Sequence, residues 1–243
     1  MLDKETLTRI RKIIADAKSI AFLGGAGVST GSGIPDFRSP QGLYNIRLDY
    51  NCEAEEILSH DFFYDHPDIF YDFYWKYMVS KTAKPCKAHY ALAEFQKRGK
   101  ITVITQNIDG LHTMAGSKGV LEAHGSVFHY HCPKCGKAYD LPELEFGKIP
   151  HCSCGTILKP DVVLYGEPLD EDTLTRAVHA VEFANVLIIG GTSMRVYPIA
   201  GLPRYFNMGT QIIINAEETP YDRYCDFVIH EDIGDTLEAI LGE

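Results

Sequence analysis

The sequence lacks a hydrophobic run long enough to span a membrane, which takes about 18 apolar residues. Its beginning, MLDKETLTRIRKII, has the charged pattern of a helix rather than the pattern of a secretory signal. It also lacks an excess of positive charge, because 33 acidic residues against 23 basic ones give a formal net charge of −10. Such a charge repels a phosphate backbone. We therefore expect a cytoplasmic protein that binds neither membranes nor nucleic acid.

Internal repeats and low-complexity linkers are also absent. A chain of 243 residues with 45% hydrophobic and 23% charged side chains has the composition of an ordinary globular protein. This length suits one large core, or a large domain with a smaller insertion. We expect the chain to fold on its own and to act as a monomer.

The cysteines do not fit a disulfide framework, because their number is odd, at seven, and four of them cluster. The cluster has a C-x2-C hairpin, a gap of sixteen residues and a C-x-C hairpin, formed by Cys132, Cys135, Cys152 and Cys154. Four thiolates complete a tetrahedral zinc site with no open position, so the sequence predicts a structural zinc. The second hairpin is short, which leaves His131 or His151 as a replacement ligand. Four free thiols are the remaining alternative.

Apolar runs alternate with amphipathic stretches along most of the chain. The sequence predicts strands at 19–24, 101–105, 186–189 and 211–215, and helices at 3–18, 87–98, 170–183 and 235–241. Alternation of this kind is typical of a parallel sheet covered by helices on both faces. We therefore predict an α/β fold.

Two segments interrupt this alternation and are predicted to be insertions. The segment 41–83 is rich in aromatic residues and indicates a small helical module, whose rings we expect to pack inward as a local core. The segment 127–156 contains the four clustered cysteines. The large domain is then discontinuous, comprising residues 1–40, 84–126 and 157–243.

A glycine-rich loop follows the first strand, from Gly24 to Arg38. Glycines allow backbone amides to approach a phosphate closely, and Arg38 adds a fork of donors for a pyrophosphate. Thr30 stands where the dehydrogenase fingerprint needs its third glycine, and no Gly-Lys-Ser/Thr of a P-loop follows. The loop thus favours a nucleotide site outside these two classes, with a merely flexible turn as the alternative.

The motifs occur together in an order that resembles the sirtuin family. They are Gly25-Ala-Gly-Val-Ser29, Ser32-Gly-Ile-Pro-Asp-Phe-Arg38, Thr105-Gln-Asn-Ile-Asp109, Glu122-Ala-His-Gly125, the cysteine hairpins, Gly166-Glu167, Gly190-Gly-Thr-Ser193 and Ile214-Asn215. Each motif alone is weak, but their joint order is specific and spans nearly the whole chain.

The resemblance implies a Rossmann-like large domain, and a small domain built from the two insertions. NAD, as co-substrate, and an acetylated protein would meet between them. In the family's reaction the acyl oxygen attacks the nicotinamide ribose, nicotinamide leaves, and a histidine deprotonates a ribose hydroxyl. His124 matches that histidine, and an ordinary imidazole pKa of about 6.5 suits the task. The products would be free lysine, nicotinamide and O-acetyl-ADP-ribose.

The same resemblance implies the remaining site residues. Those implied for NAD are Ala26, Thr30, Phe37, Arg38, Gln106, Asn107, Ile108, Asp109, His124, Thr192, Ser193, Asn215, Asp232 and Ile233. Asp109 would accept a hydrogen bond from the nicotinamide amide, and a plain helix N-cap is its alternative role. The other histidines, such as His112 and His129, are expected to be structural or exposed.

The substrate peptide would bind as an added strand between 163–167 and 195–197, which reads the backbone more than side chains. The substrate residues are Val163, Tyr165, Gly166, Glu167, Val196 and Tyr197. Family members that prefer succinyl or malonyl groups carry a Tyr-x-x-Arg pair in the helical insertion. This chain has no arginine between Arg47 and Arg98, so we expect acetyl groups to be preferred.

Two other functions remain open from the sequence. A protein ADP-ribosyltransferase would use the same bound NAD but pass ADP-ribose to a protein side chain. A noncatalytic NAD-binding or zinc-scaffold module would bind without turnover.

Overall fold

The structure is a computed structural model that describes residues 2–37, 42–44, 50 and 52–242. Its helices are α1 (Lys4–Asp16), α2 (Ala54–Ile57), α3 (His60–Asp65), α4 (Pro67–Phe73), α5 (Lys87–Gln96), α6 (Leu111–Met114), α7 (Glu171–Glu182) and α8 (Ile233–Leu241). A π-helical turn at Tyr74–Met78 continues α4, and short 3-10 turns occupy Ala26–Ser32, Leu141–Glu143, Ile199–Tyr205 and Asp222–Tyr224. Among the described residues, no helix is both long and apolar enough to cross a membrane.

The larger of the two sheets has six strands in the order β3-β2-β1-β7-β8-β9, all parallel. They are β1 (Ile20–Gly24), β2 (Ile101–Thr105), β3 (Leu121–Glu122), β7 (Val186–Gly190), β8 (Thr210–Ile214) and β9 (Phe227–Ile229). The order changes direction between β1 and β7. Open α/β sheets bind ligands outside the carboxyl ends of the strands at such a switch point.

Alternate residues of the central strands bury against opposite helical layers. Phe22 packs with residues of α1, α5 and α8, whereas Leu23 packs with residues of α7 and the 3-10 turn at Ile199–Tyr205. Both side chains are fully buried. The predicted α/β fold with a Rossmann-like sheet is therefore confirmed.

The smaller sheet is antiparallel, in the order β5-β4-β6, and comprises β4 (Gly125–His131), β5 (Ala138–Asp140) and β6 (Lys159–Val162). Its Tyr130 packs in one cluster with the aromatic residues of the helical insertion. The buried members of that insertion are Phe63, Phe70, Tyr71, Phe73, Tyr74 and Trp75. The expected inward packing of these rings is confirmed.

The small sheet reaches beyond the segment 127–156 at both ends, because β4 begins at Gly125 and β6 runs from Lys159 to Val162. The predicted boundaries assign residues 125–126 and 159–162 to the large domain, while the structure pairs them within the small sheet. The division of the chain into domains stays a prediction.

Candidate active site

Two loops meet at the carboxyl ends of β1 and β7. The amide of Gly27 donates to the carbonyl oxygen of Gly191 over 2.8 Å, and a Cβ at Gly27 would lie 2.8 Å from the Cα of Gly191. Gly191 has φ +59°, a left-handed conformation that favours glycine. Because only glycines allow this approach, the loop after β1 is fixed against the loop after β7.

One cavity of about 650 Å³ opens beside these loops, a volume typical of ligand sites. Apart from Arg38, which lies outside the described residues, every residue predicted for NAD or peptide lines it. The NAD group is Ala26, Thr30, Phe37, Gln106, Asn107, Ile108, Asp109, His124, Thr192, Ser193, Asn215, Asp232 and Ile233. The peptide group is Val163, Tyr165, Gly166, Glu167, Val196 and Tyr197. Their individual roles stay predictions.

The cavity also contains residues that the sequence analysis did not assign. Ser29 lies at the end of the glycine-rich motif that begins at Gly25. Tyr44, Tyr77 and Met78 belong to the aromatic insertion that was interpreted as core. No sequence signal separates the aromatic residues that face the cleft from those that are buried. Tyr77 and Met78 lie in the π-helical turn that continues α4.

His124 has one ring nitrogen fixed by the backbone. Nδ1 lies 3.0 Å from the carbonyl oxygen of Gln106, which can only accept, so Nδ1 carries the proton. Nε2 is then the nitrogen left to accept a proton. Burial lowers the pKa of His124 below its ordinary value, and the hydrogen bond to Gln106 offsets part of this effect. The imidazole is therefore neutral near pH 7.

A polar chain connects Asn107, Ser29 and Asp109. The Asn107 amide donates to Ser29 Oγ over 2.9 Å, and Ser29 Oγ donates to Asp109 Oδ2 over 2.6 Å. The other carboxylate oxygen of Asp109 accepts from the amide of Leu111, the first residue of α6, over 2.9 Å. Asp109 thus satisfies a helix-terminal amide and lines the cavity at once.

Gln106 and Thr192 connect the loops after β2 and β7. Gln106 Nε2 donates to Thr192 Oγ1 over 2.9 Å and to the carbonyl oxygen of Gly24 over 3.3 Å. At the far end of the cavity, Asn215 donates to the carbonyl oxygen of Glu217, and Asp232 caps α8 by accepting from the amide of Asp235. These contacts fix the side chains of Gln106, Thr192, Asn215 and Asp232.

The predicted peptide-binding segment 163–167 already pairs along one edge. Tyr165 donates its amide to Leu58 and accepts at its carbonyl from His60, over 3.0 Å and 2.9 Å. Val163 donates to the carbonyl oxygen of His124 over 2.9 Å. The edge of Tyr165 that faces Leu58 and His60 is therefore not available to an incoming strand.

Glu167 has a structural contact that its predicted substrate role did not include. Its carboxylate lies 3.0 Å from Lys159 Nζ, and both side chains are largely buried, with 16% and 9% exposed. The same carboxylate oxygen accepts from the amide of Leu164 over 2.9 Å. Glu167 therefore fixes the turn after the peptide-binding segment to strand β6.

The four clustered cysteines converge as predicted. Their sulfurs lie within 4.8 Å of one another, with 3.5 Å between Cys132 and Cys154 and 3.6 Å between Cys135 and Cys152. Zinc–sulfur bonds of about 2.3 Å in a tetrahedron separate sulfurs by about 3.8 Å. The donor set therefore fits one structural zinc ion.

The alternative zinc ligands lie outside the cysteine cluster. His131 Nδ1 contacts the carboxylate of Asp161, and His151 Nδ1 contacts the carbonyl oxygen of Ile149 over 2.9 Å. Neither joins the cluster of candidate ligands found among the described residues. The four-cysteine interpretation is thus preferred over a mixed site.

The family model described as Sir2 matches residues 25–198, from the glycine-rich loop to the end of the second predicted peptide-binding segment. A protein of Clostridium acetobutylicum named NAD-dependent protein deacetylase is 48% identical over 245 residues, covering 99% of each chain. The chain belongs to the Sir2 family. The sirtuin resemblance inferred from the motif order is therefore confirmed.

Solved Sir2 structures share this fold over nearly the whole chain. A structure on the mechanism and regulation of Sir2 enzymes has a TM-score of 0.89 at 38% identity, covering 98% of this chain and 97% of that one. A complex of Sir2 with a p53 peptide and NAD+ has a TM-score of 0.85 at 36% identity, covering 99% and 98%. A structure of a Sir2 variant with a deacetylated p53 peptide and 3'-O-acetyl ADP ribose has a TM-score of 0.87 at 36% identity, covering 97% of each chain.

Proposed function

We propose that this member of the Sir2 family is an NAD-dependent protein-lysine deacetylase. The Clostridium acetobutylicum relative bears that name, and a solved Sir2 structure contains a deacetylated peptide with an acetylated ADP-ribose. The observation in this chain that carries the proposal is the neutral His124 in the cavity that the glycine-rich loop borders. The products are free lysine, nicotinamide and O-acetyl-ADP-ribose.

The cavity fits NAD by its position and its construction. It lies at the switch point of the sheet, and the loop after β1 is held there by the contact between Gly27 and Gly191. NAD, when bound, supplies a nicotinamide leaving group and a ribose that can receive the acyl oxygen. Asp109, held by Ser29 and Leu111, presents a fixed carboxylate that can accept from the nicotinamide amide.

His124 acts as general base on a ribose hydroxyl. Its protonated Nδ1 is held by the Gln106 carbonyl, which leaves Nε2 to take the proton. The lowered pKa keeps the base neutral at physiological pH, so it needs no prior deprotonation. Positioned bases of this kind contribute about 10²- to 10⁴-fold to rates.

The protein substrate binds as an extended strand between segments 163–167 and 195–197. The backbone of Tyr165 already pairs with Leu58 and His60, and the backbone of Leu164 with Glu167. The peptide therefore pairs with the remaining backbone groups of the two segments and is read mainly through its own backbone. Tyr165 and Tyr197 are 40% and 63% exposed, so both rims are accessible to a protein.

Charge in the cavity favours acetyl over dicarboxylic acyl groups. Among the described lining residues, Arg195 is the one arginine or lysine, whereas the carboxylates are Asp36, Asp109, Glu167, Glu217, Glu218, Glu231 and Asp232. A succinyl carboxylate would meet this acidic surface without the Tyr-x-x-Arg pair that binds it in other family members. Comparative kinetics check this preference: succinyl-lysine should be turned over much more slowly than acetyl-lysine.

We also propose that the enzyme acts as a monomer in the cytoplasm, on protein rather than nucleic acid. Among the described residues no cysteines are joined in a disulfide, which suits a reducing compartment, and the net charge of −10 repels nucleic acid.

The test identifies the products made from NAD labelled in its ADP-ribose part, in the presence of an acetyl-lysine peptide. We expect one nicotinamide per lysine freed, and the label in a small acetyl ester. Label that stays on a target protein would instead establish an ADP-ribosyltransferase. Binding of NAD with no release of nicotinamide would leave only the noncatalytic alternative.

A further inference from the structure

The stretch that contains β7 and the turn after it contributes only positive charge to an acidic protein. No aspartate, glutamate or lysine occurs between Glu182 and Glu217, although the chain contains 33 acidic residues. Arg195 and Arg204 are the two charged side chains of this stretch, and both are exposed. The stretch therefore differs in charge from the chain as a whole, whose net charge is −10.

Arg195 lies where the substrate peptide is proposed to bind. It belongs to the segment 195–197, and it is the one arginine or lysine among the described residues that line the cavity. Met194 before it has a buried side chain and a φ of +54°, the one positive φ outside glycine among the described residues. Met194 thus anchors the turn in the core, while Arg195 next to it stays exposed at the cavity.

The guanidinium of Arg195 is available to a ligand. Of the arginines that the structure describes, it is the one whose side chain has no hydrogen bond, ion pair or cation–π contact. The others contact a carbonyl oxygen, a carboxylate or a ring, as Arg11, Arg176 and Arg223 do. A guanidinium fork matches a carboxylate in a bidentate pair, so Arg195 suits an acidic side chain of a bound protein.

Arg204 adds a second positive charge beside the same segment. Its guanidinium carbon lies 5.8 Å from the ring centre of Tyr197, and its Nη2 donates to the Tyr197 hydroxyl over 3.4 Å. Tyr197 is 63% exposed and lines the cavity with Arg195. An extended peptide advances about 3.3 Å per residue, so the three residues of segment 195–197 reach only the acetyl-lysine and its near neighbours.

We propose that Arg195, supported by Arg204, selects acetylated proteins that carry an aspartate or glutamate within two positions of the acetyl-lysine. The inference rests on the proposed function, because it takes segment 195–197 as one side of the peptide site. The acyl group enters the cavity, whose carboxylates disfavour a charged acyl group, whereas the flanking acidic side chain stays at the exposed rim beside Arg195. The two preferences are therefore compatible.

The long-range electrostatic field opposes this local preference. A net charge of −10 repels every acidic peptide, but this repulsion depends on the total charge of the peptide and is screened beyond about 10 Å at 0.1 M salt. An exposed ion pair, in contrast, changes affinity by up to about fivefold and depends on position. Peptides of equal net charge separate the two effects, because only the place of the acidic residue differs between them.

The experiment uses fluorescent acetyl-lysine peptides of one composition, in which a single aspartate occupies in turn each position from five before to five after the acetyl-lysine. Binding to zinc-loaded protein is measured by fluorescence anisotropy without NAD, so that no turnover occurs. We expect the best isomer to have its aspartate within two positions, and to bind about three- to fivefold more tightly at low salt than the isomers with a distant aspartate. The gain should shrink in about 0.5 M sodium chloride.

Variants of Arg195 test whether this side chain causes the gain. Arg195→Gln should lose it, and Arg195→Glu should prefer a lysine at the same position in a matched set of lysine isomers. Arg204→Gln should lose a smaller part of the gain. Arg176→Gln is the matched control and should keep the whole gain, since Arg176 pairs with Asp172 on α7 and lies outside the described lining of the cavity.

The outcomes separate this inference from the proposed function. Equal binding of all isomers to wild type would overturn the inference and leave the deacetylase proposal standing. A gain that persists in Arg195→Gln would also overturn it, because another group would then recognise the acidic residue. If no isomer binds at all, the peptide site between 163–167 and 195–197 is wrong, and both proposals fail together.

Discussion

The six-stranded sheet and the three-stranded sheet are stabilised by different interactions. The parallel sheet is buried on both faces by helices, with fully buried residues such as Phe22 and Leu23 on opposite sides. The small sheet has only three strands and depends on aromatic rings from a distant segment, four cysteines and the buried pair of Lys159 and Glu167. The region around the six-stranded sheet should therefore stay folded when the loss of zinc or of a side chain unfolds the small sheet. Catalysis needs both regions.

Zinc removal should produce the largest difference between the two regions. Metal binding to small structural sites is worth about 10–16 kcal/mol, which the pairing of a three-stranded sheet cannot replace. Trp75, the one tryptophan, reports on this region because its ring packs 4.8 Å from Phe146 and its indole donates to the carbonyl oxygen of Lys148 over 2.8 Å. With a strong chelator, or in Cys152→Ser, we expect a red shift of tryptophan emission while most helical circular dichroism remains.

Cys225→Ser is the matched control for zinc removal, since Cys225 lies outside the four-cysteine cluster, and its emission should equal that of wild type. An unchanged tryptophan spectrum in metal-free protein would show that the aromatic cluster, rather than the metal, stabilises the small sheet.

Glu167→Gln should have the next largest effect. It leaves the ammonium of Lys159 buried without its carboxylate, which costs about 3–5 kcal/mol in comparable buried pairs. Denaturant unfolding followed by tryptophan emission measures this loss. The exposed pair of Glu145 and Lys148 offers a control, and Glu145→Gln should change stability little. Equal effects of the two substitutions would contradict the structural role assigned to Glu167.

His112 should make the stability of the region around the six-stranded sheet decrease in acid, with an effect smaller than that of Glu167→Gln. It is almost fully buried next to His89, and neither of its ring nitrogens has a hydrogen-bond partner among the described residues. Burial, with the charge of His89, lowers its pKa to about 3. The unfolded chain therefore takes up a proton below about pH 6.5 that the folded chain refuses, so stability falls as the pH decreases.

The free energy of unfolding should decrease by about 1.4 kcal/mol per pH unit from this group between pH 6 and 4. His112→Leu should lack this component, so its curve should be flatter than that of wild type over the same range. Urea titrations at several pH values check the difference. Parallel curves would show that His112 does not set the acid response.

Local patterns predicted the large region well. The structure places β2 at the predicted residues, and helices α1, α5, α7 and α8 begin and end within two residues of their predicted limits. These elements have a local signal, since β-branched runs and amphipathic periodicity arise within the segment itself. The short β9 was not predicted, because three residues are too few for such a signal.

The small sheet was not predicted as strands. In β4, buried and exposed residues follow no strict alternation, and its pairing with β6 shifts register after Gly125. The candidate site followed from the order of motifs. The contacts of His89 with Cys86 and Ser29, and the pair of Lys159 and Glu167, required the fold, because sequence spacing does not reveal which polar side chains become buried together.

The central claim is that His124 performs chemistry on NAD in the shared cavity. The most direct measurement is nicotinamide release from NAD and an acetyl-lysine peptide by His124→Ala, with NAD affinity measured by calorimetry on the same protein. We predict product formation at least about 100-fold below wild type with NAD affinity nearly unchanged, whereas His129→Ala, at an exposed position on the small sheet, behaves as wild type. Turnover by His124→Ala at the wild-type rate would contradict the account.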